Sequence, residues 1–184
     1  MSRRLFVAVA LDEATRAACA AVAEHLRGEG WHARWVQPEN YHLTVAFLGG
    51  VDADRVDDVA AAVRDVAAGV PSFEVPLDAV GAFPHERRPR VAWTGPAHAV
   101  RAFGTACGVV RSSLVARGFT FDDRADAHVT LARADGFAPL PSVAPPRDAV
   151  VMAEAMTLYE SFTERGGARY VALERFPLAA ATPG

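Results

Sequence analysis

Apolar residues run unbroken from Leu5 to Leu11 and stop at Asp12-Glu13, after which they recur at helical spacing. The run reads as a buried strand, and Asp12 as the N-cap of a helix that reaches about Arg27 and ends at Gly28 and Gly30. Ala33 to Val36 and the turn Gln37-Pro38-Glu39-Asn40 lead into a second strand, Tyr41 to Leu48, which Gly49-Gly50 is expected to close. Val56, Val59, Ala60, Val63, Val66 and Ala67 then fall three and four apart, the stripe of an amphipathic helix laid on a sheet. Phe73 to Val80 and Arg90 to Thr94 read as strands on either side of a Pro- and Arg-rich connection, Phe83 to Pro89. Val100, Phe103, Cys107, Val110 and Leu114 mark a third helix that Gly118 stops. Ala127 to Arg133 reads as a strand, and Pro139, Pro141, Pro145 and Pro146 as a loop, since proline suits neither sheet nor helix interior. Val150 to Tyr159 and Arg169 to Phe176 form two final strands joined through Gly166-Gly167. Strands and helices alternate at first and antiparallel strands finish, so the expected class is α+β rather than a doubly wound parallel sheet.

The chain has 184 residues, 51% hydrophobic and 22% charged, which suits one folding unit over residues 1–184 with a sizeable core. Its longest clean apolar runs, Leu5 to Leu11 and Ala17 to Ala23, fall far short of the roughly 20 residues that cross a bilayer. Arg3-Arg4 precede the first run as in a signal peptide, but that run gives way at once to an amphipathic pattern. The protein is therefore expected in the cytoplasm, away from membranes and as a monomer. All 19 basic residues are arginine. Without lysine, a lysine-bearing P-loop, Schiff-base chemistry and a ligase that carries its nucleotide on lysine are excluded. A formal net charge of −3 argues against non-specific nucleic-acid binding, which draws on an excess of basic residues, while leaving room for a local basic pocket. Cys19 and Cys107 both sit in apolar helical patterns and read as buried thiols rather than a disulfide or zinc site.

One short repeat carries chemistry: His42-Leu43-Thr44-Val45 and His128-Val129-Thr130-Leu131, each in an expected strand. Strand side chains alternate faces, so each His and Thr point one way and the apolar pair the other. From average residue usage the doubled tetrapeptide arises by chance in roughly one such chain in a thousand. Isolated histidines on half-exposed strands are the bland alternative, and the repetition argues against it. A shared zinc ion is another, but no third ligand recurs at fixed spacing, so no metal and no cofactor is expected. If the two halves pack about an approximate two-fold axis, two imidazoles face each other with a hydroxyl beside each. That suits in-line displacement at phosphorus, which needs a base for the attacking water and an acid for the departing sugar oxygen. Imidazole serves as either near neutral pH, and Thr44 and Thr130 can donate to the non-bridging oxygens.

Paired H-x-T-x motifs resemble those of the two-histidine (2H) phosphoesterases. The stretches "RLFVAVAL", "RWVQPENYHLTVAFLGGV", "GAFPHERRPRVAW", "HVTLAR" and "LYES", spread from Arg4 to Leu178, are similar to the RNA 2′,3′-cyclic phosphodiesterases, also called 2′-5′ RNA ligases. The resemblance implies a bilobal, internally duplicated α+β fold of two pseudo-symmetric lobes, antiparallel sheets lining a central cleft and helices outside. It implies metal-independent hydrolysis of RNA ends bearing a 2′,3′-cyclic phosphate to 2′-phosphomonoesters, with 2′-5′ ligation as a related activity. It makes His42 the proton donor and His128 the acceptor, a choice the residues themselves leave open. Arg133, five residues after His128, matches a family arginine near the phosphate.

Phe47, in the corresponding place after His42, is open to two readings, stacking on a base or packing in the core. Arg87, Arg88 and Arg90 could lend positive charge to an RNA backbone, although His85 and Glu86 in the "PHER" stretch weaken that role, and Tyr159 and Ser161 are candidate site-lining residues from the final hairpin. His25, His32, His85 and His98 lack a threonine two residues on and read as surface residues. Two other functions use the same cleft: a phosphodiesterase for small cyclic nucleotides or 2′-5′ oligonucleotides, and a module that binds phosphorylated RNA ends without chemistry. Intact imidazoles favour catalysis, because arginines would serve pure binding better.

Overall fold

The computed structural model describes residues 1–121 and 126–181. The first apolar run becomes β1 (Ser2–Ala10), and Asp12 caps α1 (Glu13–Gly28) by accepting from the Thr15 backbone N–H at 2.7 Å. Hydrogen bonding from Thr15, led by its backbone N–H, holds the Asp12 carboxyl below the usual carboxylate range. The chain then forms β2 (Ala33–Trp35), a single 3₁₀ turn at Pro38–Asn40, β3 (His42–Asp52) and α2 (Val56–Ala67). β4 (Phe73–Pro76), β5 (Ala79–Phe83), β6 (Val91–Gly95) and α3 (Arg101–Ala116) follow. β7 (Val129–Ala134), β8 (Val150–Ala153), β9 (Ala155–Glu164) and β10 (Gly167–Pro177) complete the order.

Two four-stranded antiparallel sheets result, one ordered β10-β9-β1-β3 and the other β2-β7-β6-β5, with β4 and β8 paired separately. This is the expected α+β class, but its two sheets are interlaced rather than built from successive halves. The His42 sheet takes β9 and β10 from the end of the chain, and the His128 sheet takes β2 from near its beginning. The helices cross over too: α1 follows a strand of the first sheet yet packs on β7 of the second, while α2 and α3 pack together behind the first. The seam between α2 and α3 includes the Ser113 hydroxyl donating to the Ala62 carbonyl at 2.8 Å. Cys19 and Cys107 are buried on α1 and α3 as expected, and burial pushes the Cys19 thiol up to about 12. No helix among the described residues is long and apolar enough to cross a membrane.

Three expected boundaries shift. Gly49-Gly50 does not close the second strand. β3 continues to Asp52 because Gly49, at φ +67°, absorbs a bulge opposite Leu5, and Gly50 lets Ser2 approach to where a Cβ would lie 2.7 Å from its Oγ. The run Phe73 to Val80 divides between two sheets. Pro76 has no N–H to continue a ladder, and the Asp78 carboxylate turns aside to accept from the Ala97 N–H at 2.6 Å. Val150 to Tyr159 likewise divides at Glu154, whose carbonyl accepts from the Leu178 N–H instead of a neighbouring strand.

Candidate active site

β3 and β7 each present their histidine and threonine to the cleft between the sheets and their apolar partners to the core. Leu43, Val45, Val129 and Leu131 have no exposed surface. Burying each is worth about 1.5–3 kcal/mol, which pins the face on which the imidazoles lie. His128 itself stands one residue before β7, a small departure from the expected strand.

Alternation alone would send the residue five places after each histidine to the opposite face. Both strands defeat this with a bulge at the same point. In β3, Ala8 pairs with Thr44 and Val7 with Ala46, so Val45 is the extra residue. In β7, Trp93 pairs with Thr130 and Ala92 with Ala132, so Leu131 is the extra residue. Both members of each pair Val45-Ala46 and Leu131-Ala132 are buried, and Phe47 and Arg133 return to the cleft. Phe47, 37% exposed, is therefore not a core residue, and the Arg4 guanidinium lies 4.8 Å over its ring.

The two imidazoles are held alike. The His42 Nδ1–H donates to the Asn40 carbonyl at 2.7 Å and the His128 Nδ1–H to the Asp126 carbonyl at 2.8 Å, in each case two residues back. A carbonyl only accepts, so Nδ1 carries the proton in the neutral ring and Nε2 faces the cleft with its lone pair. The Thr44 hydroxyl donates to His42 Nε2 at 3.1 Å. Asn40 is itself tied down, its side-chain amide donating to the Ala168 carbonyl at 2.6 Å. Aromatic rings wall both imidazoles. Phe6 and Tyr170 lie 4.9 and 5.4 Å from the His42 ring, centroid to centroid, and Phe83, stacked on Trp93, lies edge-on at 5.0 Å from His128.

These walls favour the neutral rings. Burial pulls His42 down to about 4, with the nearby His128 adding to the effect. Burial also lowers His128, Arg133 adding to the effect and the Asp126 carbonyl and carboxylate opposing it. The consequence for stability has a definite sign. Between about 4 and the unfolded value near 6.5, the unfolded chain binds the proton that folded His42 refuses, so stability falls as pH drops through that window. The wild-type melting temperature is expected to fall between pH 7 and pH 4 by more than that of His42→Gln, followed by circular dichroism; parallel declines would refute the burial effect.

The cleft encloses about 710 Å³, within the range of small-molecule sites. Its cationic lining is Arg4, Arg34 and Arg133, against the single carboxylate of Asp126 among the described lining residues, in a chain whose formal net charge is −3. Tyr170 feels both Arg4 and Arg133, one from each wall, although burial still raises its hydroxyl above the usual value. The sequence-predicted residues His42, Thr44, Phe47, His128, Thr130, Arg133 and Ser161 all line this space. Tyr159 and Arg90 do not. Tyr159 stacks behind Phe6 at 5.2 Å, one layer back, and Arg90 is turned to solvent at the foot of β6, where its backbone N–H is held by the Phe83 carbonyl. Arg87 and Arg88 are exposed and also lie outside the lining, so the cleft's positive charge comes from strand arginines rather than the PHER loop.

Sequence reasoning missed Phe6, Tyr170, Arg4 and Arg34. Tyr170 pairs across the final hairpin with Ser161, and Arg34 pairs with Arg133, so the register carried signals that alternation within one strand did not. His25, His32, His85 and His98 are exposed, as expected. Among the described residues no group of three or more His, Cys, Asp or Glu is placed to hold a metal ion.

Over residues 9–93 the chain matches the family described as LigT-like phosphoesterase. It is 32% identical over 130 residues to an RNA 2′,3′-cyclic phosphodiesterase of Thermotoga maritima, covering 71% of this chain and 69% of that one. To an RNA 2′,3′-cyclic phosphodiesterase of Thermus thermophilus it is 33% identical over 183 residues, covering 95% and 90%. Among solved structures it superimposes on E. coli LigT in apo form with a TM-score of 0.80 and 29% identity, over 97% of this chain and 98% of the other.

Proposed function

The chain belongs to the LigT-like phosphoesterase family, and on that premise we propose that its cleft opens the terminal 2′,3′-cyclic phosphate of RNA to a 2′-phosphomonoester by metal-independent acid–base catalysis. The observation that carries this reading is the pair of imidazoles, each locked through Nδ1 to a carbonyl two residues back so that Nε2 faces the same cationic cleft.

The cyclic ester is a monoanion. Arg133 attracts it to the His128 side, and Thr44 and Thr130 donate to its non-bridging oxygens as charge builds there. His128 Nε2, which accepts from no described residue, takes the proton of a water that attacks phosphorus in line. The bond from phosphorus to O3′ breaks, and His42 Nε2–H supplies the proton that O3′ gains. The 2′-phosphomonoester leaves, His128 returns its proton to solvent and His42 regains one. His42 is neutral in the empty cleft, and the negative charge of the arriving ester raises its affinity for the proton it must donate. A 5′-hydroxyl in place of water would form a 2′-5′ linkage through the same steps.

Phosphorus NMR of an oligonucleotide ending in a 2′,3′-cyclic phosphate, incubated with the protein and excess EDTA, tests the reading. A 2′-monoester resonance is expected at a rate equal to that without chelator. A 3′-monoester, or turnover that EDTA stops, would overturn it.

A further inference from the structure

Arg34 is assigned no part in the reaction above, yet it occupies a costly position. It lies directly across the β2–β7 ladder from Arg133, on the same cleft-facing side. Like charges placed directly opposite on neighbouring strands destabilise a sheet. Neither guanidinium meets a carboxylate among the described residues, and both are exposed. Some surface arginines find partners, Arg64 gripping Glu174 at 2.7–2.9 Å and Arg117 meeting Asp65 at 2.6 Å, but neither of these faces the cleft. An uncompensated cationic pair on the wall of a cleft is suited to a ligand that brings more than one negative charge.

The two arginines are not equivalent. Arg133 sits close enough to His128 to bias its titration, whereas Arg34 contributes to the titration of neither imidazole. The strand order β2-β7-β6-β5 puts Arg34 one strand farther out, on an edge open to solvent. Its neighbour Trp35 packs its ring against Trp31 and Arg27, and with Val36 and Gln37 it contributes to the cleft lining beside Arg34.

Resting on the RNA-end reading above, we infer that Arg34 is a specificity-determining residue that binds the phosphodiester one nucleotide before the cyclic phosphate, so that the cleft prefers oligonucleotide ends to free mononucleoside cyclic phosphates. Arg133 holds the reacting phosphate while Arg34 holds the next one along the strand, and the chain leaves the cleft over the β2 edge. A mononucleoside 2′,3′-cyclic phosphate has no second phosphate for Arg34 to bind.

The test compares uridine 2′,3′-cyclic phosphate with a diuridylate ending in the same group, using wild type, Arg34→Gln and Arg34→Lys. Wild type is expected to favour the dinucleotide in kcat/KM, with a preference that shrinks as salt rises. Arg34→Gln should lose about tenfold on the dinucleotide through KM, with kcat unchanged and the mononucleoside unaffected. Its salt slope for the dinucleotide should drop by about one. Arg34→Lys, which keeps the charge but not the bidentate fork, should recover part of the preference. Equal losses on both substrates, a loss confined to kcat, or no change in either variant would overturn the assignment while leaving the proposed reaction standing. If wild type turns over neither substrate, the RNA-end reading itself fails and the role of Arg34 falls with it.

Discussion

Alanine in place of His128 or His42 is expected to lower turnover of a cyclic-phosphate RNA end by roughly 10²–10⁴-fold, the span that positioned acid–base groups contribute. The two variants should differ in a way the geometry dictates. His128 Nε2 accepts from no described residue, so its truncation leaves a hole that opens to the cleft and that added imidazole can fill. His42 is boxed by Phe6, Tyr170 and the Thr44 hydroxyl, so its truncation leaves a more enclosed space and rescue should be weaker. The double variant should be scarcely slower than the worse single one, because acid and base act in one step. Single-turnover kinetics beside circular dichroism melts would check both points. A double variant that retains substantial turnover with the fold intact would refute the acid–base pair.

Gly95→Ala is the second substitution with a large expected effect, though Gly95 is not among the residues that line the cleft. It ends β6, where an added Cβ would stand 2.7 Å from the Ala127 carbonyl oxygen and 3.3 Å from the His128 Cα. Both obstructing atoms are backbone, so the strand that carries the imidazole must move. Displacing a reacting group by about 1 Å costs on the order of 10²-fold, and overpacking a close contact costs about 1–3 kcal/mol of stability. Steady-state kinetics should therefore record a kcat loss near a hundredfold with KM little changed, alongside a lower melting temperature. A variant with wild-type kcat would mean that the 127–128 backbone yields without carrying the ring off its station.

The parts of this site that were legible in the sequence are those fixed by neighbours along the chain. Alternation places His42 with Thr44 and His128 with Thr130, and helical spacing finds α2 at Val56–Ala67. Phe47 and Arg133 show where that logic runs out. Their odd offset from the histidines belongs to the core side in any regular strand, and only the extra residues Val45 and Leu131 return them to the cleft. A bulge is a property of two strands in register, and one strand's pattern does not reveal it. The same limit explains the division of Phe73 to Val80 between sheets and the absence of Arg90 and Tyr159 from the lining. Which sheet a segment joins, and what stands in front of a side chain, are decided by partners far away in sequence. Arg34 became visible only once β2 was seen to lie against β7.

The interlacing of the sheets has a consequence for how the enzyme could be divided or rebuilt. A cut in the link between β6 and α3 would strand β1 and β3 without β9 and β10, and β2 without β7. Neither fragment would own a finished wall, so the duplicated motif cannot be harvested as a half-size unit, nor two identical halves be paired to make a symmetric enzyme without first rewiring the chain. The facing of the two imidazoles is thus a property of the threaded whole, since each one's sheet draws strands from both halves of the chain.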